Sequence, residues 1–152
     1  MNPWNIVKYA ESHFDGVAAL WREAFPNPQP WNAPEVTIPA KLAIQSDLFL
    51  LAIDREQVIG SVLAGYDGHR GWLYAVAVLK AHQRRGIGSA LVREAERRLL
   101  EELMRSHSSL SPKEICAAVL DYSTRRDQRF RDLGEGDMVD DKTVFVIKRS
   151  GS

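Results

Sequence analysis

The sequence Gln83-Arg84-Arg85-Gly86-Ile87-Gly88 says more about the fold of this chain than any other stretch. It follows an apolar run at residues 72–79 and precedes a helical pattern at residues 89–96. The order is therefore a strand, a basic turn that contains glycine, and a helix. A helix start exposes unpaired backbone N–H groups and the positive end of a dipole, and glycine allows a ligand to approach closely. Together these features predict a pyrophosphate-binding site.

Two other phosphate-binding motifs do not fit this stretch. Leu91 occupies the place where a dinucleotide fingerprint has its third glycine, and no Lys-Ser or Lys-Thr pair follows Gly88 as it would in a Walker loop. An ordinary basic turn ahead of a surface helix is the alternative interpretation of the six residues. The elements around the stretch decide between the two.

Composition is typical of one soluble globular domain that spans residues 1–152. The chain is 45% hydrophobic and 26% charged, and Cys116 is its one cysteine, so no intrachain disulfide can form. No apolar run approaches the roughly 20 residues that span a membrane. The first residues lack the features of a signal peptide, so we expect a cytoplasmic protein with no membrane partner.

Charge is distributed unevenly along the chain. The formal net charge is zero, which argues against a general nucleic-acid binder. Residues 80–131 nevertheless carry 12 basic and 7 acidic side chains. This segment includes the predicted phosphate loop, and its positive potential would attract a polyanionic ligand. A solvated basic face explains the same excess equally well.

The apolar periodicity predicts a mixed α/β (α+β) fold. Predicted strands cover residues 6–10, 48–53, 58–64, 72–79, 115–120 and 144–147, and predicted helices begin near residues 15, 37, 86 and 124. Asp15 and Thr37 are the expected N-caps of the first two helices, with Pro39 in the first turn of the second. The resulting order, β-α-α-β-β-β-α-β-α-β, predicts a sheet covered by helices.

This order, together with four short pieces of sequence, resembles the GNAT N-acetyltransferases, in particular the small bacterial YpeA-like acetyltransferases. The pieces are residues 30–32, 48–52, 65–71 and 83–88, and the resemblance extends from about Trp4 to Leu100. It implies a mostly antiparallel sheet of about six or seven strands with about four helices. It also implies that acetyl-CoA donates an acetyl group directly to a primary amine.

The resemblance places the coenzyme in an opening between the strand at 72–79 and the strand at 115–120. Backbone groups of the first strand would pair with the pantetheine, and the N–H of Val78 would polarise the thioester carbonyl. The implied pantetheine contacts are Val76, Ala77 and Val78. The implied pyrophosphate contacts are Gln83, Arg84, Arg85, Gly86, Ile87, Gly88 and Ser89. A plain buried strand is the alternative interpretation of residues 76–78.

The second half of the chain departs from the family pattern. Phe130 occupies the position of the tyrosine that is thought to protonate the leaving thiolate, and phenylalanine has no such proton. Ser123 corresponds to an asparagine of the family and is an expected coenzyme contact. The proton is then supplied by another group, such as nearby Tyr122, or by water, unless this half has diverged from catalysis.

The attacking amine must be neutral, so a base or a water chain is required. The candidates are Tyr74 on the strand at 72–79 and Tyr66, Asp67 and His69 in the preceding turn, although residues 67–69 also have the composition of an ordinary turn. Acceptor contacts are expected from Trp31 and Asn32 after the proline-rich segment, and from Tyr66 and Asp67 before the strand at 72–79.

The histidines show no metal-ligand spacing, so we expect no metal. The acceptor is a small-molecule or peptide amine of unspecified identity, and a homodimer is possible. A non-catalytic acyl-CoA-binding sensor is the alternative function. An interaction domain without coenzyme is a third interpretation.

Overall fold

The computed structural model describes residues 2–67, 70–106, 111 and 143–146, which contain five strands and three α-helices. The strands are β1 (Trp4–Lys8), β2 (Phe49–Asp54), β3 (Gln57–Tyr66), β4 (Arg70–Val78) and β5 (Thr143–Val146). The helices are α1 (Phe14–Ala24), α2 (Pro34–Ala43) and α3 (Ile87–Ser106). Single 3₁₀ turns lie at Glu11–His13, Pro30–Asn32, Ser46–Leu48 and Lys80–His82.

The strands form one sheet in the order β1-β2-β3-β4-β5, and every neighbouring pair is antiparallel. Alternate side chains of a strand point to opposite faces of the sheet, so the sheet has two apolar faces to cover. Helices α1 and α2 pack on one face and α3 packs on the other. The mostly antiparallel α+β fold is therefore confirmed, while the strand predicted at 115–120 and the helix predicted to begin near residue 124 lie outside the described residues.

Helix α3 packs closely against the sheet because β3 has a glycine at the crossing point. A Cβ on Gly60 would lie 2.9 Å from Leu91 Cδ1 and 3.1 Å from the Ala77 carbonyl oxygen. The helix buries the apolar stripe that its periodicity predicts, namely Ile87, Leu91, Ala95, Leu99 and Leu103. This packing fixes the first turn of α3 beside the end of β4.

The expected caps of the first two helices are wrong. Helix α1 begins at Phe14, before Asp15, after a 3₁₀ turn in which His13 Nδ1 accepts the Ala10 N–H at 2.9 Å. Helix α2 begins at Pro34, whose fixed φ and missing N–H suit the first helical position. Thr37 therefore lies inside the helix, and so does Pro39.

Candidate active site

Strand β4 contains a β-bulge at the position where the coenzyme is expected. Ser61 pairs with Ala77 and Leu63 pairs with Tyr74, so two residues of β4 oppose one residue of β3. Ala75 absorbs the irregularity with a φ of 48°, a left-handed conformation that is uncommon for a residue other than glycine. Because a bulge bends its strand, β4 changes direction here.

Buried side chains from two other elements hold the bulge. The Ser61 hydroxyl donates to the carbonyl oxygen of Ala75 at 2.9 Å, and the Trp21 indole N–H donates to Ser61 Oγ at 2.9 Å. Both Ser61 and Trp21 are buried. The Trp21 ring in turn stacks on Phe49 with a centroid distance of 6.1 Å. A carbonyl that the bulge removes from the regular ladder thus has a partner in the core.

Beyond the bulge, β4 has a free edge within the described part of the chain. Strand β5 pairs only with residues Arg70 to Leu73. The Leu79 N–H donates to the carbonyl oxygen of Ile59 at 2.9 Å, so residue 79 faces β3. Successive residues of a strand point to opposite sides, and the N–H of Val78 therefore points away from β3. This open edge offers backbone groups to an extended ligand.

The segment after β4 brings the predicted phosphate-binding residues to the start of α3. Gly86 has a φ of 77°, a conformation that glycine adopts without strain, and its carbonyl accepts the first helical hydrogen bond from the Ala90 N–H at 3.0 Å. The N–H groups of residues 87–89 consequently have no partner inside the helix. The side chain of Ile87 is buried, so this residue can offer a ligand only its backbone.

The side chains around the start of α3 make this region electropositive. Arg84, Arg85 and Arg93 are exposed, and none has a carboxylate within 4.0 Å among the described residues. Gln83 is differently engaged, because its Nε2 donates to the carbonyl oxygen of Val78 at 3.1 Å. It thereby joins the predicted phosphate-binding segment to the open edge. Arg85 contacts His82 Nδ1 at 3.0 Å, and Arg93 Nε donates to the Ser89 carbonyl oxygen at 3.3 Å, but both keep their positive charge without a described carboxylate nearby. These guanidinium groups and the helix dipole act in the same direction on a polyanion.

A buried lysine that sequence reasoning missed lies on the other side of the sheet. Lys41 of α2 is only 6% exposed, and its ammonium donates to the carbonyl oxygen of Ala64. Burial lowers the pKa of Lys41 from 10.5 to about 8. One feature of the sequence could have predicted this burial: Lys41 follows Ile38 by one helical turn and so lies on the apolar side of α2. Charged side chains at such positions are normally exposed and carry no information about a site.

The candidate catalytic residue Tyr74 lies close to Lys41. The Lys41 ammonium lies 6.0 Å from the centroid of the Tyr74 ring. Burial raises the pKa of Tyr74 above its ordinary value of 10.0, so the hydroxyl is protonated at neutral pH. Its hydroxyl makes no hydrogen bond to another described residue. The side chain packs on the face covered by α1 and α2.

The remaining candidate residues are distributed over several places. Trp31 is 66% exposed on the 3₁₀ turn before α2, and its carbonyl accepts the Thr37 hydroxyl at 3.3 Å; Asn32 is exposed beside it. Tyr66 packs on the α3 face of the sheet, opposite to Tyr74. Burial raises the pKa of Tyr66, and the nearby carboxylate of Asp67 adds to this effect.

Asp67 is exposed, and its Oδ2 accepts the Trp72 indole N–H at 3.4 Å. His69 and Ser123 lie outside the described residues, as do Tyr122 and Phe130.

The described ranges contain no group of three or more His, Cys, Asp or Glu side chains placed to hold a metal ion. None of their helices combines the length and the apolar character that crossing a bilayer requires.

Residues 14–111 match the acetyltransferase (GNAT) family, and the chain belongs to this family. An acetyltransferase of Pectobacterium atrosepticum is 40% identical over 92 residues, which are 60% of this chain and 64% of that protein. An acetyltransferase of Sodalis glossinidius is 40% identical over 95 residues, which are 62% of this chain and 66% of that protein. The chain thus matches less than two thirds of the length of these curated relatives.

Solved structures agree on the fold. A GCN5-related N-acetyltransferase from Kribbella flavida superposes with a TM-score of 0.55 at 20% identity, covering 65% of this chain and 27% of that chain. Ard1 from Thermoplasma volcanium superposes with a TM-score of 0.53 at 16% identity, covering 69% of this chain and 66% of that chain. At these identities the likeness concerns the fold alone.

Proposed function

We propose that this protein transfers the acetyl group of acetyl-CoA to a primary amine by direct attack on the thioester. The observation that carries the proposal is the sequence of features along β4: a bulge, an open strand edge and then a basic helix start. An open edge suits an amide-containing chain such as pantetheine, and the helix start suits a pyrophosphate. Family membership supplies the donor, because GNAT enzymes use acetyl-CoA.

In this proposal the Val78 N–H donates a hydrogen bond to the thioester carbonyl. Negative charge develops on that oxygen as the amine attacks, and a fixed backbone donor stabilises it without reorganisation. The N–H groups of residues 87–89, with Arg84 and Arg85, hold the pyrophosphate. The donor is thereby positioned at both ends, with its thioester beside the bulge.

Tyr74 is the described side chain best suited to proton transfer in this reaction. Because burial raises its pKa, the hydroxyl stays protonated at neutral pH and is a poor base. A protonated hydroxyl is suited to donating a proton to the departing thiolate. Tyr74 would thus perform the task that Phe130 cannot. His69, or a water chain, would accept the proton of the amine.

The first experiment is a calorimetric titration of acetyl-CoA into the wild-type protein, followed by a thiol-release assay with a broad panel of amines. We expect micromolar binding and thiol release that depends on an amine. Absence of acetyl-CoA binding would contradict the proposal entirely.

Binding without thiol release would favour the second candidate, a non-catalytic acyl-CoA sensor. The observation that favours this candidate is Phe130, which occupies the position of the family's proton-donating tyrosine. In that case Phe130→Tyr should produce a measurable rate where the wild type has none. If wild type and Phe130→Tyr both turn over at the same rate, a proton donor at position 130 is unnecessary.

A further inference from the structure

The hydrogen bond that Lys41 makes to the backbone of β3 does not require a positive charge. Strand β3 continues past the last pairing with β2, which joins Leu63 to Phe49. The backbone of the remaining residues therefore needs partners from outside the sheet. The Lys41 ammonium donates to the carbonyl oxygen of Ala64 and so satisfies one of these groups. One neutral donor is sufficient for a carbonyl oxygen, and nothing in this contact calls for a positive charge.

The next position along the same edge shows how a neutral side chain serves this purpose. Gln45 Oε1 accepts the Tyr66 N–H at 2.8 Å, and Gln45 Nε2 donates to the Tyr66 carbonyl oxygen at 2.6 Å. The amide replaces a missing strand without burying a charge. Lys41, in contrast, buries an ammonium, and this burial disfavours the charged form and lowers the pKa of Lys41 to about 8.

Nothing described near Lys41 compensates its charge fully. The ammonium has no carboxylate within 4.0 Å among the residues that the structure describes. The Tyr74 ring, 6.0 Å away, provides a weak attraction. One of the three ammonium hydrogens is used by Ala64, and the described residues provide no second hydrogen-bond acceptor for this ammonium. A buried cation of this kind is stabilised when an anion binds beside it.

The position of Lys41 relates it to the reaction proposed above. Tyr74 immediately precedes Ala75, the residue that forms the bulge, and it lies on the sheet face covered by α1 and α2. An anion at Lys41 would therefore be held next to the proposed proton donor, at a distance from the arginines of the phosphate-binding segment. A single lysine matches a singly charged carboxylate, whereas a phosphate would add a second negative charge without a second cation.

We propose that Lys41 binds the carboxylate of the acceptor, so that the acceptor is an amino acid or another small amine that carries a carboxylate group. The inference rests on the proposed acetyl transfer, and it specifies the acceptor side of that site. In an α-amino acid the amine and the carboxylate share one carbon. A carboxylate held at Lys41 would consequently direct the amine toward the bulge and the thioester.

The test compares pairs of amines that differ only in a carboxylate: glycine with methylamine, alanine with ethylamine, leucine with isoamylamine, phenylalanine with phenethylamine, and lysine with cadaverine. We expect kcat/KM to be on the order of 10- to 100-fold higher for the acid, since a charge-assisted hydrogen bond of this kind has that magnitude. Lys41→Gln, which keeps a donor for Ala64 without the charge, should abolish the preference and act mainly on KM. Lys8→Met, which removes an exposed lysine, should preserve it.

Three results would overturn the inference: amines that react as well without the carboxylate, a preference that survives in Lys41→Gln, or bound acetyl-CoA with no reaction of any acid in the series. Failure of acetyl-CoA binding would instead contradict the proposed function, and it is measured separately by calorimetry.

A second measurement does not depend on turnover. The pKa of Lys41 can be followed by NMR of ¹³C-labelled lysine side chains, with and without N-acetyl-leucine, the product of the leucine reaction. We expect the pKa to rise when this acid binds, because an adjacent anion favours the charged lysine. N-acetyl-isoamylamine, which has no carboxylate, should leave it unchanged. An equal response to both compounds, or to neither, would contradict the carboxylate site.

Discussion

The two faces of the sheet contribute to the proposed site in different ways. On one face, α3 contributes through its first turn, where consecutive residues present backbone N–H groups and Gly86 provides the required backbone conformation. On the other face, the contributions are the side chains of Trp21, Lys41 and Ser61, which come from three different elements. The first half of the site is thus made of contiguous backbone, and the second half is made of side chains that only the fold brings together.

This difference suggests a division of labour. A coenzyme shared by a whole family is suited to recognition through backbone groups, which do not depend on side-chain identity beyond glycine. An acceptor that differs between family members is suited to recognition by side chains, which substitutions can change. We therefore expect changes near α3 to act on coenzyme binding. Changes on the opposite face should act on the rate and the acceptor, or, through the bulge at Ala75, on the pantetheine end of the coenzyme.

The largest expected effect is on the rate, from Tyr74→Phe. Removing a proton donor should lower kcat by on the order of 100-fold or more, while the Kd for acetyl-CoA stays the same. Steady-state kinetics and calorimetry on the same preparation measure the two quantities. Tyr9→Phe is the matched control, since Tyr9 stacks on Phe49 at the far side of this core and should not affect kcat. An unchanged kcat in Tyr74→Phe would exclude it as the donor.

A charge placed in the phosphate-binding segment should have the next largest effect. Gly86→Asp puts a carboxylate beside the pyrophosphate, and repulsion should weaken acetyl-CoA binding by on the order of 100-fold. Gly86→Asn is nearly identical in shape and tolerates the same positive φ, so most of the affinity should remain. Calorimetric Kd values of both variants for acetyl-CoA distinguish charge repulsion from backbone strain. A similar loss of acetyl-CoA affinity in Gly86→Asp and Gly86→Asn would show that backbone strain, and not charge, controls binding.

The buried lysine should make the stability of the protein depend on pH. Its folded-state pKa of about 8 lies below the ordinary value of 10.5, so between these values the unfolded chain binds more protons than the folded chain. Stability should therefore rise with pH across this interval, by up to about 3 kcal/mol. Urea unfolding at pH 8 and pH 10 measures the increase. Lys41→Gln should remove the increase, and retention of the full increase would show that another group is responsible.

The smallest expected effect comes from the bulge network. Ser61→Ala leaves the Ala75 carbonyl and the Trp21 indole N–H without their partner, which should lower stability by about 1–3 kcal/mol. A relaxed bulge should also weaken acetyl-CoA binding by roughly 10-fold. The nucleotide fragment of coenzyme A that lacks pantetheine should bind equally well to both proteins. Ser46→Ala, which removes an exposed hydroxyl, is the control.

A parallel loss of affinity for coenzyme and fragment would indicate general destabilisation. Equal affinity of wild type and Ser61→Ala for acetyl-CoA would indicate that the bulge does not depend on Ser61.

Local pattern predicted most of the described fold correctly. The central strands and α3 follow directly from apolar periodicity, which depends only on neighbouring residues. The first residues of α1 and α2 were harder to predict, because Asp15 and Thr37 are good capping residues that do not cap these helices. At α2, proline at position 34 favours an earlier start, and the chain adopts it because Ile38 then reaches the core.

The candidate site was only partly predictable, because local pattern predicts features of contiguous backbone and does not predict which distant side chains meet. The pattern of residues 83–88 predicted the basic turn and the helix start that the structure shows, since both depend on contiguous backbone, and phosphate binding there stays a prediction. Lys41 gave no comparable signal, because a lysine in an amphipathic helix is ordinarily exposed. Ser61 is equally inconspicuous as a small residue in an apolar strand.

The sequence by itself determined the order of elements, the electropositive helix start and the glycine at position 86. Only the tertiary structure decided that Ser61 and Trp21 would hold the bulge at Ala75, and that the Lys41 ammonium would be buried near Tyr74. The physical reason is the range of the interactions. Backbone dipoles and apolar periodicity act between near neighbours, whereas burial and hydrogen bonding between distant side chains depend on how the helices pack on the sheet.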